Sequence, residues 1–456
     1  MEETRESKRQ RREGKDALEV LPGSAWLRIG SLVEPYDRLA FGLTCRTFLE
    51  AVRTREENFK EKGKDSLLRT DLRRERMFER LPRFTLGWYK WVSASFKRKR
   101  GRRFLCDLGK YKTYLSDCDL LFTATFQGSV DATRWLVSQG VPLRVDKWKC
   151  CEGAEFGGNI ELLSLFKSEG HAFESLSYAR AAYGGNLEAI KWLRKESPHL
   201  DWDSMTCTYA AEGGQLELLK WLRSQDPPCS WDEGTCAEAA LNGQIGVLQW
   251  LRSQDPPCPW DSSVCSYAAE GGHLGILKWL KQQGWTMDGE CCETAARGGF
   301  LETIQWLFSS ESCEFSIWHC AEAGGGGHLH VLEWLRSQDP PCPWDENTCS
   351  DAALGGHLHT LQWLRSQSPP CPWDENTCSA AAKGGHLDVL QWARSQDPPC
   401  PSNEWTCRSA ASGGHLHILK WLRSQNPPCP WGPQDCINEA RENESVDISD
   451  WIAKNY

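Results

Sequence analysis

Tryptophan recurs along this chain at Trp192, Trp221, Trp250, Trp279, Trp306, Trp334, Trp363, Trp392 and Trp421, at spacings of 29, 29, 29, 27, 28, 29, 29 and 29 residues. A cysteine precedes it by fourteen residues at Cys207, Cys236, Cys265, Cys292, Cys320, Cys349, Cys378 and Cys407. A period held this closely confines the chain to folds in which one small unit stacks on the next. Upstream, degenerate units keep the frame: Cys151 precedes Leu165, Tyr178 precedes Trp192, and one more begins near Leu121 and places Trp135. The array is expected over residues 117–456, with roughly eleven units. Its polar tail, residues 437–456, reads as the cap that a stack needs to close its exposed core.

One unit, residues 345–373, shows what the repeat encodes. ENTCSDAAL suits a short helix, with Asp345 as its cap and Ala352 and Ala353 as strong helix formers. Gly355 and Gly356 stop it, because glycine accepts the left-handed conformation at a helix end. HLHTLQWLRSQ predicts a second helix, with Leu358, Leu361 and Leu364 as a stripe and Trp363 beside it. The following Pro-Pro pair forbids continuation and sends the chain back extended. Helices this short are marginal alone, so stacking must stabilise them. The Ala-Ala pairs let first helices approach closely. One tryptophan per second helix and another in each PPCPW loop account for most of the 24 tryptophans.

The string T-C-x-x-A-A-x-x-G-H-L-x-x-L-x-W-L, at residues 348–364 and, with Ala393 in the last place, 377–393, resembles the ankyrin repeat, and the resemblance covers some three-quarters of the chain. The family's Thr-Pro-Leu-His start is replaced by Thr-Cys-Ser-x, and the period is 29, not about 33. The resemblance implies an all-α, ankyrin-type helix-turn-helix solenoid with a shortened hairpin finger. A leucine-rich repeat also fits the period, but the alanine helix and Gly-Gly hinge suit a helix pair better. A propeller, suggested by Gly356-His357 and Trp373-Asp374, needs a longer period and more β-branched residues.

Each return loop adds a second cysteine, seven residues before the next aligned one: Cys342 and Cys349, Cys371 and Cys378, Cys400 and Cys407. Zinc sites favour shorter Cys-x2-4-Cys spacings with a matching second pair, and none is supplied. His273, His328, His357, His386 and His415 follow the Gly-Gly step, where the ankyrin pattern has its turn histidine. The cysteines read as small thiols packed between units, with a multi-zinc array or a redox switch as the other readings. No metal or cofactor is expected. The chain has no phosphate loop, nucleophile elbow or His-Glu-x-x-His, so a non-enzymatic role is expected.

The N-terminal quarter is different. Residues 1–116 hold 29 basic and 17 acidic side chains, a net of +12, leaving 24 and 45 for the remainder, a net of −21. Residues 1–16 are charged throughout, read as disordered, and lack the apolar core of a secretory signal. No apolar run reaches the ~20 residues of a membrane helix. An intracellular protein, cytoplasmic or nuclear, with 22 reduced thiols is expected. Residues 17–56 carry Leu21, Pro22, Trp26, Ile29, Leu32, Leu39 and Leu43 in a pattern that resembles an F-box. That resemblance implies a three-helix module docking, through those residues, on the Skp-type adaptor of a cullin–RING ubiquitin ligase. The other reading is three helices that merely precede the array. Residues 57–116 read as a basic helical linker. Its run KRKRGRR, residues 97–103, is a weak nuclear signal or a solvated charged face.

Ankyrin-like arrays bind through the concave face built by first helices and loops. The positions that differ between units lie one, two and five residues after the aligned cysteine. They give as candidate partner-binding residues Tyr209, Glu212, Glu238, Leu241, Tyr267, Glu270, Thr294, Arg297, Glu322, Asp351, Leu354, Lys383 and Arg408. Drift at exposed positions would produce the same variation. The face is mixed in sign and tilts acidic toward the earlier units, which suits a basic or amphipathic protein partner there; neither nucleic acid nor membrane is expected as a partner. The expected function is protein binding, as substrate receptor of a ubiquitin ligase or as a scaffold without that link.

Overall fold

The computed structural model describes residues 85–87, 89–90, 117–141, 149–310, 313–443 and 445–455. The expected F-box-like residues and the basic run 97–103 lie outside them. The described residues form an all-α helical repeat of twenty-four helices, with no strand among them. No helix among them is long and apolar enough to cross a membrane. The chain divides into two compact units, Met1–Cys229 and Ser230–Tyr456. The first contains four helix pairs, from Asp117–Phe126 to Leu216–Arg223. The second contains eight, from Glu233–Leu241 to Val446–Asn455. The polar tail is itself a helix pair, Pro433–Glu442 and Val446–Asn455, so the array closes on a twelfth pair.

The local signals act as expected. The unit read above forms helices Glu346–Gly355 and Leu358–Ser366. The Asp345 carboxylate accepts from the Asn347 amide at 3.0 Å, satisfying a donor that the first helical turn leaves open. Gly356 ends the helix at φ +76°, a conformation that costs a side chain. Ala352 and Ala353 are fully buried between neighbouring first helices. The approach is so close that a Cβ on Gly324 would stand 2.9 Å from the Thr348 carbonyl. In the second helix the buried set is Thr360, Leu361 and Leu364, while Leu358 opens the helix and is only half-buried.

The tryptophans form a half-buried outer layer. Trp344, from a return loop, meets Trp363 edge-on at 6.3 Å. Trp373 meets Trp392 at 6.0 Å. The Arg336 and Arg365 guanidiniums lie 3.9 and 4.1 Å above the Trp344 and Trp373 rings. Each such stack contributes about 0.5–1 kcal/mol. The tryptophan excess is thus a product of packing, although the rings keep partial contact with solvent.

The loop cysteine is the fastening point of each unit. In residues 345–371 the Cys371 amide donates to Leu364 of the second helix at 3.0 Å. The Cys371 carbonyl accepts from Arg365 at 2.5 Å and from the Cys349 thiol at 3.9 Å. The Cys371 thiol reaches back to the Asp345 carbonyl at 3.4 Å. One residue thereby ties loop, second helix and first-helix cap together. Cysteines seven apart are therefore not the structural pair. The helix cysteine meets the loop cysteine 22 residues later, as at Cys349 and Cys371. The thiols are buried, but they meet within a unit and not between units as expected.

The expectation that every cysteine is reduced is corrected at one place. Cys292 and Cys313 are joined as a disulfide.

Candidate functional site

The repeat frame decides which varying positions reach the surface. One residue after the aligned cysteine, Thr208, Ser266, Ser350 and Ser379 are buried, whereas Glu293 and Arg408 at the same place are half-buried. The Ser350 hydroxyl lies 3.4 Å from the Thr377 hydroxyl of the next unit. Positions two and five residues after it face outward. In the first compact unit these are Tyr209 and Glu212, both half-buried, with the Tyr209 ring 6.5 Å from Tyr183. In the second they include Glu238, Leu241, Tyr267, Glu322 and Asp351, half-buried, and Glu270, Arg297, Leu354 and Lys383, exposed.

Two candidates are engaged within the array itself. Thr294 is buried, and its hydroxyl donates to the Glu290 carbonyl at 2.9 Å and to Ser266 of the preceding unit at 3.2 Å. It joins helices and does not face a partner. Arg408 is held by the terminal helix pair, its Nε 2.7 Å and Nη2 2.6 Å from Glu439 Oε1, with its guanidinium 4.6 Å from the Trp405 ring.

The second compact unit gathers carboxylates on this face. Burial, then Glu270, raises the Glu238 carboxyl above its usual range. Burial, then Glu322 and Glu290, raises Glu293. Burial, then Glu322 and Asp345, raises Asp351. Arg297 offsets part of this, forming two 2.6 Å bonds to Glu322 through Nε and Nη2. A pKa raised by like charges marks a place where an incoming cation is favoured.

Large exposed apolar side chains stand at the second helical residue of some units: Met205, Trp318 and Trp405, at 42, 50 and 53% exposure. Sequence reasoning overlooked them. The signal was present, since the residue two before the aligned cysteine also varies, with Asn347 and Asn376 at the same place. Leu354, at 40%, adds to the apolar share of the face.

The turn histidines do backbone work between units. His273 Nε2 lies 2.9 Å from the Leu241 carbonyl, His328 Nε2 2.9 Å from Arg297, and His415 Nε2 3.1 Å from Lys383. Gln215 and Asn186 do the same in the first compact unit, donating to the Tyr183 and Phe156 carbonyls.

One cluster has ligand-like chemistry. Cys151, Glu155 and His171 place donor atoms within 4.8 Å of one another. Cys151 Sγ is 2.9 Å from His171 Nε2. Both Glu155 oxygens are engaged, by the Ser177 hydroxyl at 2.6 Å and by Arg180 at 2.8 Å. A metal ion would have to compete with that guanidinium for the carboxylate, and the set does not fit one.

No family model matches the chain, and no curated protein matches it. Among solved structures it is similar to the pentatricopeptide repeat protein PPR10 in complex with an 18-nt psaJ RNA element. The identity there is 11%, over 95% of this chain and 64% of that chain, with a TM-score of 0.30. It is also similar to the same protein from maize at 12% identity, over 77% of this chain and 71% of that one, with a TM-score of 0.22. This chain spans under two-thirds of the length of the first. Likeness at this level carries no argument about what this chain binds. It does correct one expectation. RNA complexes occur among the helical-repeat structures that match, so the expectation against nucleic acid as a partner does not stand.

Proposed function

We propose that the chain is a non-catalytic binding scaffold. The first-helix face of its second compact unit takes a basic, amphipathic segment of a protein partner. The observation that carries this is the set of carboxylates Glu238, Glu293 and Asp351, lifted by burial first and then by neighbouring carboxylates, Glu270 for the first and Glu322 for the other two. Exposed Leu354 offers apolar contact on the helix of Asp351, and exposed Trp318 on the helix of Glu322. The ankyrin resemblance of residues 348–364 supports first helices as the binding element. The F-box resemblance of residues 17–56 supports a substrate-receptor role, in which a Skp-type adaptor connects the bound partner to a cullin–RING ubiquitin ligase.

Two measurements test this. Full-length chain is titrated into a labelled amphipathic Lys/Leu peptide and read by fluorescence anisotropy, with an acidic counterpart and a single-stranded RNA as comparisons. Tight binding of the basic peptide that Glu322→Lys with Asp351→Lys weakens by about tenfold or more supports the face. Equal binding of both peptides removes it, and preferential RNA binding replaces it. The ligase arm is tested by mixing full-length chain with a Skp-type adaptor. Binding lost on substituting Leu21, Pro22 and Trp26 supports it, and no binding by the unsubstituted chain leaves a scaffold without the ubiquitin link.

A further inference from the structure

Cys292–Cys313 is the one disulfide among the described residues, and it occupies a place that the repeat copies. Cys292 is the aligned first-helix cysteine of its unit. Cys313 lies in the return loop, where its Sγ is 3.6 Å from the carbonyl of the cap residue Asp288. The loop cysteines of other units make the same contact: Cys258 with Asp232, Cys342 with Ser316, Cys371 with Asp345, Cys400 with Asp374 and Cys429 with Asn403, at 3.3–3.4 Å. In each of these five units the helix and loop cysteines are 22 residues apart, and at Cys349 and Cys378 the helix thiol reaches the carbonyl of the loop cysteine, Cys371 and Cys400, at 3.9 and 3.8 Å. The disulfide partners are 21 apart in a unit one residue shorter.

We infer that the five dithiols Cys236/Cys258, Cys320/Cys342, Cys349/Cys371, Cys378/Cys400 and Cys407/Cys429 are oxidation sites, each closing to an intra-unit disulfide on exposure to a hydroperoxide. The chemistry balances in two steps. One thiol attacks the outer peroxide oxygen and breaks the O–O bond, giving a sulfenic acid and the alcohol of the hydroperoxide, which is water for hydrogen peroxide itself. The paired thiol then attacks that sulfur, forming the S–S bond and releasing water. Two thiols lose two electrons, and the peroxide gains them.

The geometry sets an order. Four of the loop cysteines are fully buried, whereas Cys429 retains 6% exposure, beside exposed Asn426, Pro427 and Pro428. Neighbouring Cys407, then Ser402, draws the Cys429 thiol below its ordinary value against the opposing effect of burial. A thiol that forms its thiolate more readily and also reaches solvent reacts first with peroxide. Cys407/Cys429 therefore closes first. The others follow as their loops open.

The test uses the full-length chain, freed of reductant and treated with hydrogen peroxide. The remaining thiols are alkylated in denaturant, and a non-reducing digest is read by mass spectrometry. The expected result is cross-linked peptides joining cysteines 22 apart, each lighter by two hydrogens and reopened by dithiothreitol, with Cys407–Cys429 earliest. In Cys429→Ala that one link is missing and the other four persist. Links between cysteines seven apart, links between chains, sulfinic acids without cross-links, or thiols that all remain alkylatable would each overturn the inference. Should Cys429→Ala not fold, the peptide map of the unsubstituted chain still decides.

Discussion

Replacing Gly356 by alanine strains the fold twice, and the two costs can be separated. Gly356 holds φ +76°, where an L side chain costs ~1–2 kcal/mol. The new Cβ would also run into the imidazole of His386 in the next unit, a ring that is 7% exposed. His415, one unit further on, shows what a ring at this position does: its Nε2 bonds the Lys383 carbonyl at 3.1 Å. Displacing such a ring forfeits about one hydrogen bond, ~0.5–1.5 kcal/mol. Gly356→Ala is thus expected to cost ~1.5–3.5 kcal/mol in all. Gly284 provides the control within the same compact unit, with φ +90° and nothing within 4 Å of an added Cβ; its alanine variant bears the backbone term alone. Urea titrations of full-length chain, followed by circular dichroism and tryptophan fluorescence, measure both. His386→Ala should then reduce the cost of Gly356→Ala to that of Gly284→Ala, a coupling that a double-mutant cycle reads directly. Equal costs with His386 in place, or a difference that survives its removal, would refute the interlock.

Further outcomes follow from the same geometry. Ala353→Leu overpacks the fully buried layer between first helices and should lower stability by about 1–3 kcal/mol, again by urea titration. Burial holds the His319 imidazole below its ordinary pKa, and its buried Nε2 has no hydrogen-bond partner. The folded state therefore binds this proton less readily than the unfolded chain. The stability that His319 contributes is complete above roughly pH 6.5 and is lost as pH falls toward the lower folded value. His319→Gln should flatten that slope in thermal melts. The carboxyls of Glu238, Glu293 and Asp351 are shifted the other way, so a basic peptide should bind more tightly as pH rises through and above the ordinary carboxylate range. Anisotropy that is flat with pH would count against them as the contact. Trp318→Ala should weaken the same peptide severalfold with little change in the melt, because half of that ring is in solvent.

Legibility of the site was uneven. Variation between units singled out positions on the first helices but did not separate inward from outward ones. Thr294 was chosen as a surface residue because it varies, yet its hydroxyl bonds the Ser266 carbonyl of the preceding unit at 3.2 Å. Trp318 and Trp405 were overlooked because the search began after the cysteine and not before it. The acidic tilt of the face was readable as composition. That Glu270 helps to raise the Glu238 carboxyl depends on how closely first helices approach.

Sequence alone determined what is local or periodic here. The 29-residue frame, the Asp345 cap, the Ala352–Ala353 layer and the left-handed stop at Gly356 each depend on a few neighbouring residues or on the repeat itself, and the helix-pair architecture follows from them. Tertiary structure decided which cysteines meet. Along the chain Cys342 and Cys349 are the near pair, but the return loop lays Cys371 back across its own unit, against Cys349 and the Asp345 carbonyl. That contact spans a whole helix pair. Its existence depends on the loop path set by the Arg365 guanidinium and the Leu364 carbonyl, which no spacing in the sequence records.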